Sequence, residues 1–230
     1  MFFDPLYLLF MLPGLALAFW AQAKTRGAYQ KYSEVRNMQS ISGAQVARTI
    51  LDSNGLQNVE IEETPGELSD HYDPTKKILR LSPGVARVPS VAAMGIAAHE
   101  VGHAIQDAAG YAPMRVRAGI VPLAQFGSQI GFYVILAGLL MNITGLAWAG
   151  VVLFGFGVLF ALVTLPVEFD ASTRAMAALQ SNGLVTVQEY EGAREVLNAA
   201  AWTYVAGFVS SLLTLLYFVL RVGGSSRSDD

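Results

Sequence analysis

Long apolar runs without charged residues constrain this chain more than any other feature of its sequence. A helix needs about 20 predominantly apolar residues to cross the hydrocarbon core of a bilayer. Four runs meet or approach that length: residues 5–23, 119–141, 146–167 and 199–220. Charged residues make up only 14% of the chain, against about 25% in soluble domains. The runs therefore predict an integral membrane protein with about four transmembrane helices.

The spacing of the runs predicts how they connect. The first is expected to be an uncleaved transmembrane helix rather than a signal peptide, because the preceding residues MFFD carry no positive charge. Residues 119–141 and 146–167 are separated only by NITG, which favours an antiparallel hairpin. Small residues allow membrane helices to approach closely, so Gly127, Gly131 and Gly138 are expected at helix contacts.

Lysine and arginine are distributed unevenly between the two sets of loops. Residues 24–117 and 168–198 hold 13 of the 15, and the opposite side holds only Arg221 and Arg227. Positively charged loops remain in the cytoplasm, so both polar segments are expected there and both termini outside. No basic tract indicates a nucleic-acid partner.

The polar segment after the first run reads as a small mixed domain. Ser42 is placed to cap a helix that Gly55 ends. Residues 58–63 alternate like a strand, and residues 67–83 read as two more short strands around a turn. Together they predict a small antiparallel sheet. Ser90 is then expected to open the next helix.

The chain beyond the third run is expected to be largely helical. Residues 168–180 continue a helix that Gly183 ends. Thr186 and Glu189 have the spacing of a capping box for a further helix, which enters the fourth run. The tail of residues 223–230 is polar and predicts disorder.

The stretch AAHEVGHAIQ, residues 97–106, carries the most specific chemistry. His99 and His103 are one turn apart on a helix and can converge on one metal ion. Glu100 lies beside that face, where it can reach a metal-bound water as a general base. With a third protein ligand, such a zinc ion makes amide hydrolysis feasible at neutral pH. The alternative is a helix with two hydrogen-bonded core histidines, for which this apolar segment offers few partners.

The third ligand is less constrained by sequence. The chain has no cysteine, and Gln106 and Ala109 exclude the extended pattern that needs glycine and histidine there. Asp107 follows on the same helix and is expected to support the histidines rather than bind metal. Glu168 lies where the third run ends, on the side where the histidine helix is expected. The downstream acids left open are Glu168, Asp170, Glu189, Glu191 and Glu195.

Three segments, HEVGHAIQ, LPVEFDAS and SDHYDP with LRLSP, resemble the YugP-type neutral zinc metallopeptidases of bacterial membranes. The chain is also similar, more distantly, to the HtpX and CaaX-protease gluzincins, in which a downstream E-F/Y-x-A-D motif supplies a zinc-binding glutamate. Glu168 begins that motif here, and Ser172 stands where its aspartate is expected. The resemblance implies Zn²⁺ held by His99, His103 and Glu168, with Glu100 as the base.

Two further features of the small domain each allow two interpretations. His71, beside Tyr72, could stabilise the oxyanion of the reaction, or it could be an exposed turn residue. The sheet within residues 58–82 could pair with an extended peptide, or it could be purely structural.

These features together predict a mainly α-helical integral membrane protein with about four transmembrane helices and a small cytoplasmic α+β zincin-like domain. The expected function is that of a zinc metalloendopeptidase in a bacterial plasma membrane, with its active site facing the cytoplasm. Expected partners are a peptide or membrane-protein substrate and the lipid bilayer. The expected organisation is transmembrane helix 1 in 1–23, the zincin-like domain in 24–118, a transmembrane hairpin in 119–167, ligand-bearing helices in 168–198, transmembrane helix 4 in 199–222 and a tail in 223–230.

Two other classes of function remain open from the sequence. One is a catalytically inactive zinc-binding membrane scaffold, against which the intact Glu100 speaks. The other is a metal transporter, against which the absence of charge inside the apolar runs speaks, since ion paths usually carry charged groups.

Overall fold

The computed structural model describes residues 4–226, in which seven helices and one three-stranded sheet are formed. The predicted mainly helical class with a small sheet is confirmed. The helices are α1 (Pro5–Ser33), α2 (Gly43–Ser53), α3 (Pro83–Ala86), α4 (Val91–Ala108), α5 (Ala112–Leu140), α6 (Thr144–Ser181) and α7 (Val187–Ser226). The strands are β1 (Glu60–Glu63), β2 (His71–Asp73) and β3 (Ile78–Leu81).

The predicted helix boundaries follow from local capping. Ser42 and Gln45 form a complete capping box at the start of α2. The hydroxyl and backbone amide of Thr186 both donate to Glu189, whose own amide donates back to the hydroxyl at the start of α7. Gly183 follows α6 with a φ of 63°, a left-handed conformation that glycine adopts without strain. These termini are confirmed as the sequence predicts them.

The sheet differs from the antiparallel one expected. Its order is β1-β3-β2. β2 and β3 pair antiparallel, but β1 and β3 pair parallel, with Glu60 opposite Ile78. The loop of residues 64–70 includes positive φ values at Gly66 and Leu68 and takes the chain past β3 to the far edge. Alternation identified β1 as a strand but carried no information about its neighbour.

The chain forms two compact units, each with its own core. The helical unit contains the residues up to Ala21, Arg115–Leu165 and the residues from Thr203 onward. The α+β unit contains Gln22–Met114 and Pro166–Trp202. Helices α1, α5, α6 and α7 each contribute residues to both.

Close helix approach characterises the helical unit. A side chain at Gly131 or Gly138 would overlap backbone atoms of α6, near Phe154 and Ala147 respectively, and one at Gly127 would meet the carbonyl of Leu153. The predicted helix contacts at these glycines are confirmed. The buried core of the unit consists of Ile135, Ala147, Val151, Tyr217, Phe218 and Val222.

Among the described residues, α1, α5, α6 and α7 are long and apolar enough to cross a membrane. Many of their large apolar side chains are exposed, including Leu9, Phe126, Tyr133, Leu140 and Val152. The expected disordered tail is wrong for its first part, because α7 continues through Gly223 and Gly224 to Ser226. Residues 227–230, also assigned to that tail, lie outside the described residues.

Helix α4 lies in the interior of the α+β unit. Helices α2 and α3 and strands β2 and β3 all contact it. Its own core residues are joined by side chains from α6 and α7, such as Leu179 and Ala193, which are fully buried. The helix that carries the two histidines is thus held from several sides.

Candidate metal centre

The histidine helix forms because its start is capped and its body is made of small apolar residues. The Ser90 hydroxyl accepts from the Ala93 amide at 3.1 Å. Ala97, Ala98 and Val101 are fully buried, so polar groups on α4 must find partners inside the protein.

The two imidazoles converge as the one-turn spacing predicts. The ring centroids of His99 and His103 are 4.8 Å apart and nearly perpendicular. Both Nε2 atoms face the same carboxylate oxygen of Glu168, at 3.3 Å from His99 and 3.5 Å from His103. One ligand atom from each of the three residues lies within 4.8 Å of the other two. These three side chains are positioned to bind a metal ion.

Glu168 reaches the histidines because α6 passes α4 at very short range. A Cβ atom at Gly102 would overlap the backbone carbonyl of Ala171, one turn along α6 from Glu168. Only glycine permits this approach without moving one helix. The Glu168 side chain is 4% exposed, so a charge there requires a cationic partner.

The outer ring nitrogens are also occupied. His99 Nδ1 lies 3.1 Å from the Ser172 hydroxyl. His103 Nδ1 lies 3.0 Å from Oε1 of Gln106. Partners on the nitrogen remote from a metal fix the tautomer and orientation of a ligand histidine. Both rings are therefore held with Nε2 toward Glu168.

The electrostatics of the cluster favour a bound cation. Burial lowers the pKa of His103, but the carboxylates of Glu168 and Glu100 outweigh that effect and hold the pKa above its ordinary value. A proton here compensates negative charge in the way a metal ion would. Two imidazole nitrogens and one carboxylate are the donor set of many catalytic zinc sites, which leave a fourth position open. The residues present therefore fit zinc.

Glu100 lies between the histidines in sequence and is 9% exposed. Within the described part of the chain, its carboxylate has no hydrogen bond or ion pair with protein. It is nevertheless close enough to His103 to raise the pKa of that imidazole. A nearly buried carboxylate beside a metal site, without a protein partner, has free lone pairs for another group.

The structure places His71 outside the ligand cluster. It lies on β2 with an exposed side chain, and its Nδ1 is 2.9 Å from the Ser69 carbonyl. Neighbouring strand residues point to opposite faces, and Tyr72 points toward α4, where its hydroxyl donates to Asp107 at 2.8 Å. His71 therefore faces away from the side that contacts α4, and its oxyanion role stays a prediction.

Asp107 does not support the histidines as expected. Its carboxylate accepts from Tyr72 and forms an ion pair with Lys77. Burial and the Asp107 contact raise the pKa of Tyr72 above its ordinary value, so the phenol remains a donor. Asp107 instead ties the sheet to the end of α4.

Two other acidic candidates for the third ligand, Glu189 and Glu195, have partners elsewhere. Glu189 caps α7 and accepts from the Met38 amide at 2.6 Å. Glu195 accepts from Lys31 and Tyr32. Within the part of the chain that the structure describes, the cluster of possible metal ligands consists of His99, His103 and Glu168.

Sequence reasoning missed the role of Gln106 and did not assign one to Ser172. Each has a spacing signal: Gln106 follows His103 by three residues, and Ser172 follows Glu168 by four. On a helix such residues share a face. The spacing could have nominated both, but only the helix crossing shows which imidazole each contacts.

Comparison with known proteins agrees with this donor set. A family model described as "Putative neutral zinc metallopeptidase" matches residues 7–223. The chain belongs to this family. The resemblance inferred from the three sequence segments is thereby confirmed, and zinc is the metal that the family description names.

A bacterial relative matches nearly the whole length of this zinc metallopeptidase family member. The protein "Putative membrane protease YugP" of Bacillus subtilis (strain 168) is 42% identical over 215 residues, covering 94% of this chain and 96% of the relative. No solved structure matches the chain significantly.

Proposed function

We propose that this protein is a membrane-embedded zinc metalloendopeptidase of the gluzincin type, with its active site at the cytoplasmic surface of the bacterial plasma membrane. The observation that carries the proposal is the convergence of His99, His103 and Glu168 with Glu100 beside them. The family membership supports peptide hydrolysis, and the donor set supports zinc.

The chain's own residues have distinct tasks in this proposal. His99, His103 and Glu168 hold zinc, which when bound acidifies a water molecule and polarises a carbonyl group. Glu100 accepts the proton of the attacking water and donates it to the leaving amine. General acid–base groups of this kind contribute about 100- to 10,000-fold to rate.

Glu100 suits this task by position. It comes directly after His99 on α4, so helix geometry places it beside the ligand face rather than on it. Its lack of a protein partner among the described residues leaves its oxygens available to water. It is nearly buried, which limits competition from bulk solvent.

Oxyanion stabilisation is assigned to His71 as part of the proposal. Tyr72 already donates to Asp107, whereas the second ring nitrogen of His71 is not engaged by any described residue. Because Nδ1 lies against a carbonyl oxygen, Nε2 is the ring nitrogen of His71 that is left to face an oxyanion. A shift of β2 on substrate binding would be needed to bring it to the site.

A bilayer around the candidate spans is the simplest partner for their exposed apolar surface. Side chains such as Phe126 and Leu140 are 68% and 74% exposed, and large contiguous apolar surfaces are rarely left in water. The excess of lysine and arginine in residues 24–117 and 168–198 supports a cytoplasmic position for these segments.

Hydrolysis by the purified, zinc-loaded protein in detergent tests the function. A quenched-fluorescent peptide library should be cleaved by the native chain, and a chelator should stop cleavage. Glu100→Gln should retain zinc and lose at least about 100-fold in rate. Glu191→Gln is the matched control, because the Glu191 side chain is 63% exposed and should keep native activity.

The possible outcomes separate the proposal from its alternatives. Zinc binding without hydrolysis by the native chain would indicate a scaffold. Zinc flux into vesicles without hydrolysis would indicate a transporter. Undiminished hydrolysis by Glu100→Gln would remove Glu100 as the base.

A further inference from the structure

Gln106 is completely buried and joins the histidine helix to the helix that carries Glu168. Its Oε1 lies 3.0 Å from His103 Nδ1. Its Nε2 lies 2.8 Å from the Val167 carbonyl and 2.8 Å from Oδ2 of Asp170. Every polar atom of this amide thus has a defined partner within the α+β unit.

The direction of each hydrogen bond in this group follows from the chemistry of the partners. The Val167 carbonyl can only accept, and Oδ2 of Asp170 accepts from Arg174, so the NH₂ group of Gln106 must face them. The amide oxygen then faces His103, which must donate through Nδ1–H. In the neutral imidazole, the lone pair of His103 is consequently on Nε2, the atom that faces Glu168.

Asp170 is in turn held in place by an arginine on the same helix. Its Oδ2 accepts from Nε of Arg174, one turn along α6. The Arg174 guanidinium lies over the ring of Tyr111, 5.6 Å from the ring centroid. The Tyr111 hydroxyl lies 3.5 Å from the Pro166 carbonyl. The contact with Arg174 holds the Asp170 carboxylate in its orientation toward Gln106.

We propose that Asp170 and Gln106 form a carboxylate–amide relay that positions His103 for zinc. The relay fixes the Nδ1–H tautomer and stabilises the ring through a carboxylate that never touches it. This inference rests on the proposed zinc site. Histidine ligands usually donate their remote N–H directly to a carboxylate, a backbone carbonyl or water. Here the buried amide of Gln106 on α4 connects His103 to the Asp170 carboxylate on α6.

The relay makes the two histidines unequal. His99 has the Ser172 hydroxyl at its remote nitrogen, and a hydroxyl can either donate or accept. His103 has an amide whose orientation is fixed by two acceptors. His103 is therefore the more firmly oriented ligand, and perturbing its partner should cost more zinc affinity than perturbing Ser172.

An isosteric cycle of substitutions tests the relay. Asp170→Asn replaces the carboxylate that orients Gln106 by an uncharged amide, which can turn its NH₂ group toward Gln106. Gln106→Glu places two carboxylates next to each other. Each should weaken zinc binding about 10- to 100-fold, the range for such outer partners. The double variant Gln106→Glu/Asp170→Asn exchanges carboxylate and amide and again offers an acceptor to His103, so it should recover part of the lost affinity, although the Val167 carbonyl then lacks its donor.

Zinc affinity is measured by chelator competition on the full chain in detergent at one pH, after circular dichroism of the metal-free protein confirms helical content. Gln188→Glu, at an exposed residue of α7, is the control and should bind zinc as the native chain does. Recovery in the double variant supports the relay. Native affinity in both single variants, or a double variant as weak as the singles combined, would overturn it. A native chain that binds no zinc would instead contradict the proposed function itself.

Discussion

At the scale of single residues, the proposed activity depends on groups that lack protein partners as much as on groups that have them. His99, His103 and Glu168 are mutually positioned, and the remote nitrogens of both rings are occupied. Glu100 is different, because no described residue bonds its carboxylate. This contrast between fixed ligands and a free base is what the proposed mechanism needs.

His71 provides a residue-scale prediction about the transition state. His71→Ala should lower kcat by about 100-fold with little change in KM, because an oxyanion contact forms only in the transition state. Steady-state kinetics on one defined peptide measures both constants. Arg80→Ala, opposite His71 in the sheet register, controls for a general disturbance of β2. An unchanged kcat in His71→Ala would remove that residue from the site.

The sequence predicted the ligand residues but not their supporting contacts, for a physical reason. His99, Glu100 and His103 share one helix, so helical periodicity alone relates them. Glu168 was favoured by its place after an apolar run and by family resemblance. The contacts of Gln106 and Ser172 depend on how two helices cross, and periodicity within one helix contains no information about that crossing.

At the scale of elements, the site depends on the close approach of α4 and α6. Gly102 lies against the backbone of Ala171, and the gap leaves no room for a methyl group. A wider separation would move Glu168 away from both imidazoles.

Gly102→Ala should therefore reduce zinc affinity as well as stability. Overpacking of this kind costs about 1–3 kcal/mol, which should appear as a lower melting temperature of the metal-free protein. Competition with a chelator should show weaker zinc binding than in the native chain. Gly27→Ala is the matched control, because a Cβ there meets no atom within 4 Å. Native zinc affinity in Gly102→Ala would show that the helix approach does not set the site.

Elements were predicted better than their arrangement. Capping residues such as Ser42 and Thr186 act within one turn of chain, so their helix starts could be predicted. The parallel pairing of β1 with β3 depends on where the loop of residues 64–70 carries the chain. Strand alternation reports burial on one face and not the identity of the neighbouring strand.

At the scale of the whole molecule, the proposed orientation in the membrane can be tested with two single-cysteine variants. The chain has no native cysteine. Met38 and Met141 are 78% and 64% exposed, and they belong to segments predicted on opposite sides. In intact bacterial cells, an impermeant maleimide should label Met141→Cys and should reach Met38→Cys only after permeabilisation.

The native chain, which should remain unlabelled, is the control for the labelling chemistry. Asn37, next to Met38, is buried and is unsuitable as a labelling position, because its side chain donates to the Ile41 carbonyl and accepts from the Ile41 amide. Equal labelling of both variants in intact cells would contradict the orientation derived from lysine and arginine.

Zinc content most directly tests the central claim that two helices together build a catalytic metal site. Purified native chain and Glu168→Ala are dialysed against a zinc buffer and their metal is measured by elemental analysis. Glu191→Ala, at an exposed residue of α7, serves as the matched control. One zinc per chain is expected for the native protein and for the control. The zinc affinity of Glu168→Ala should fall by more than about 100-fold, the upper range for residues that contact a ligand rather than the metal. Full zinc in Glu168→Ala would contradict the account.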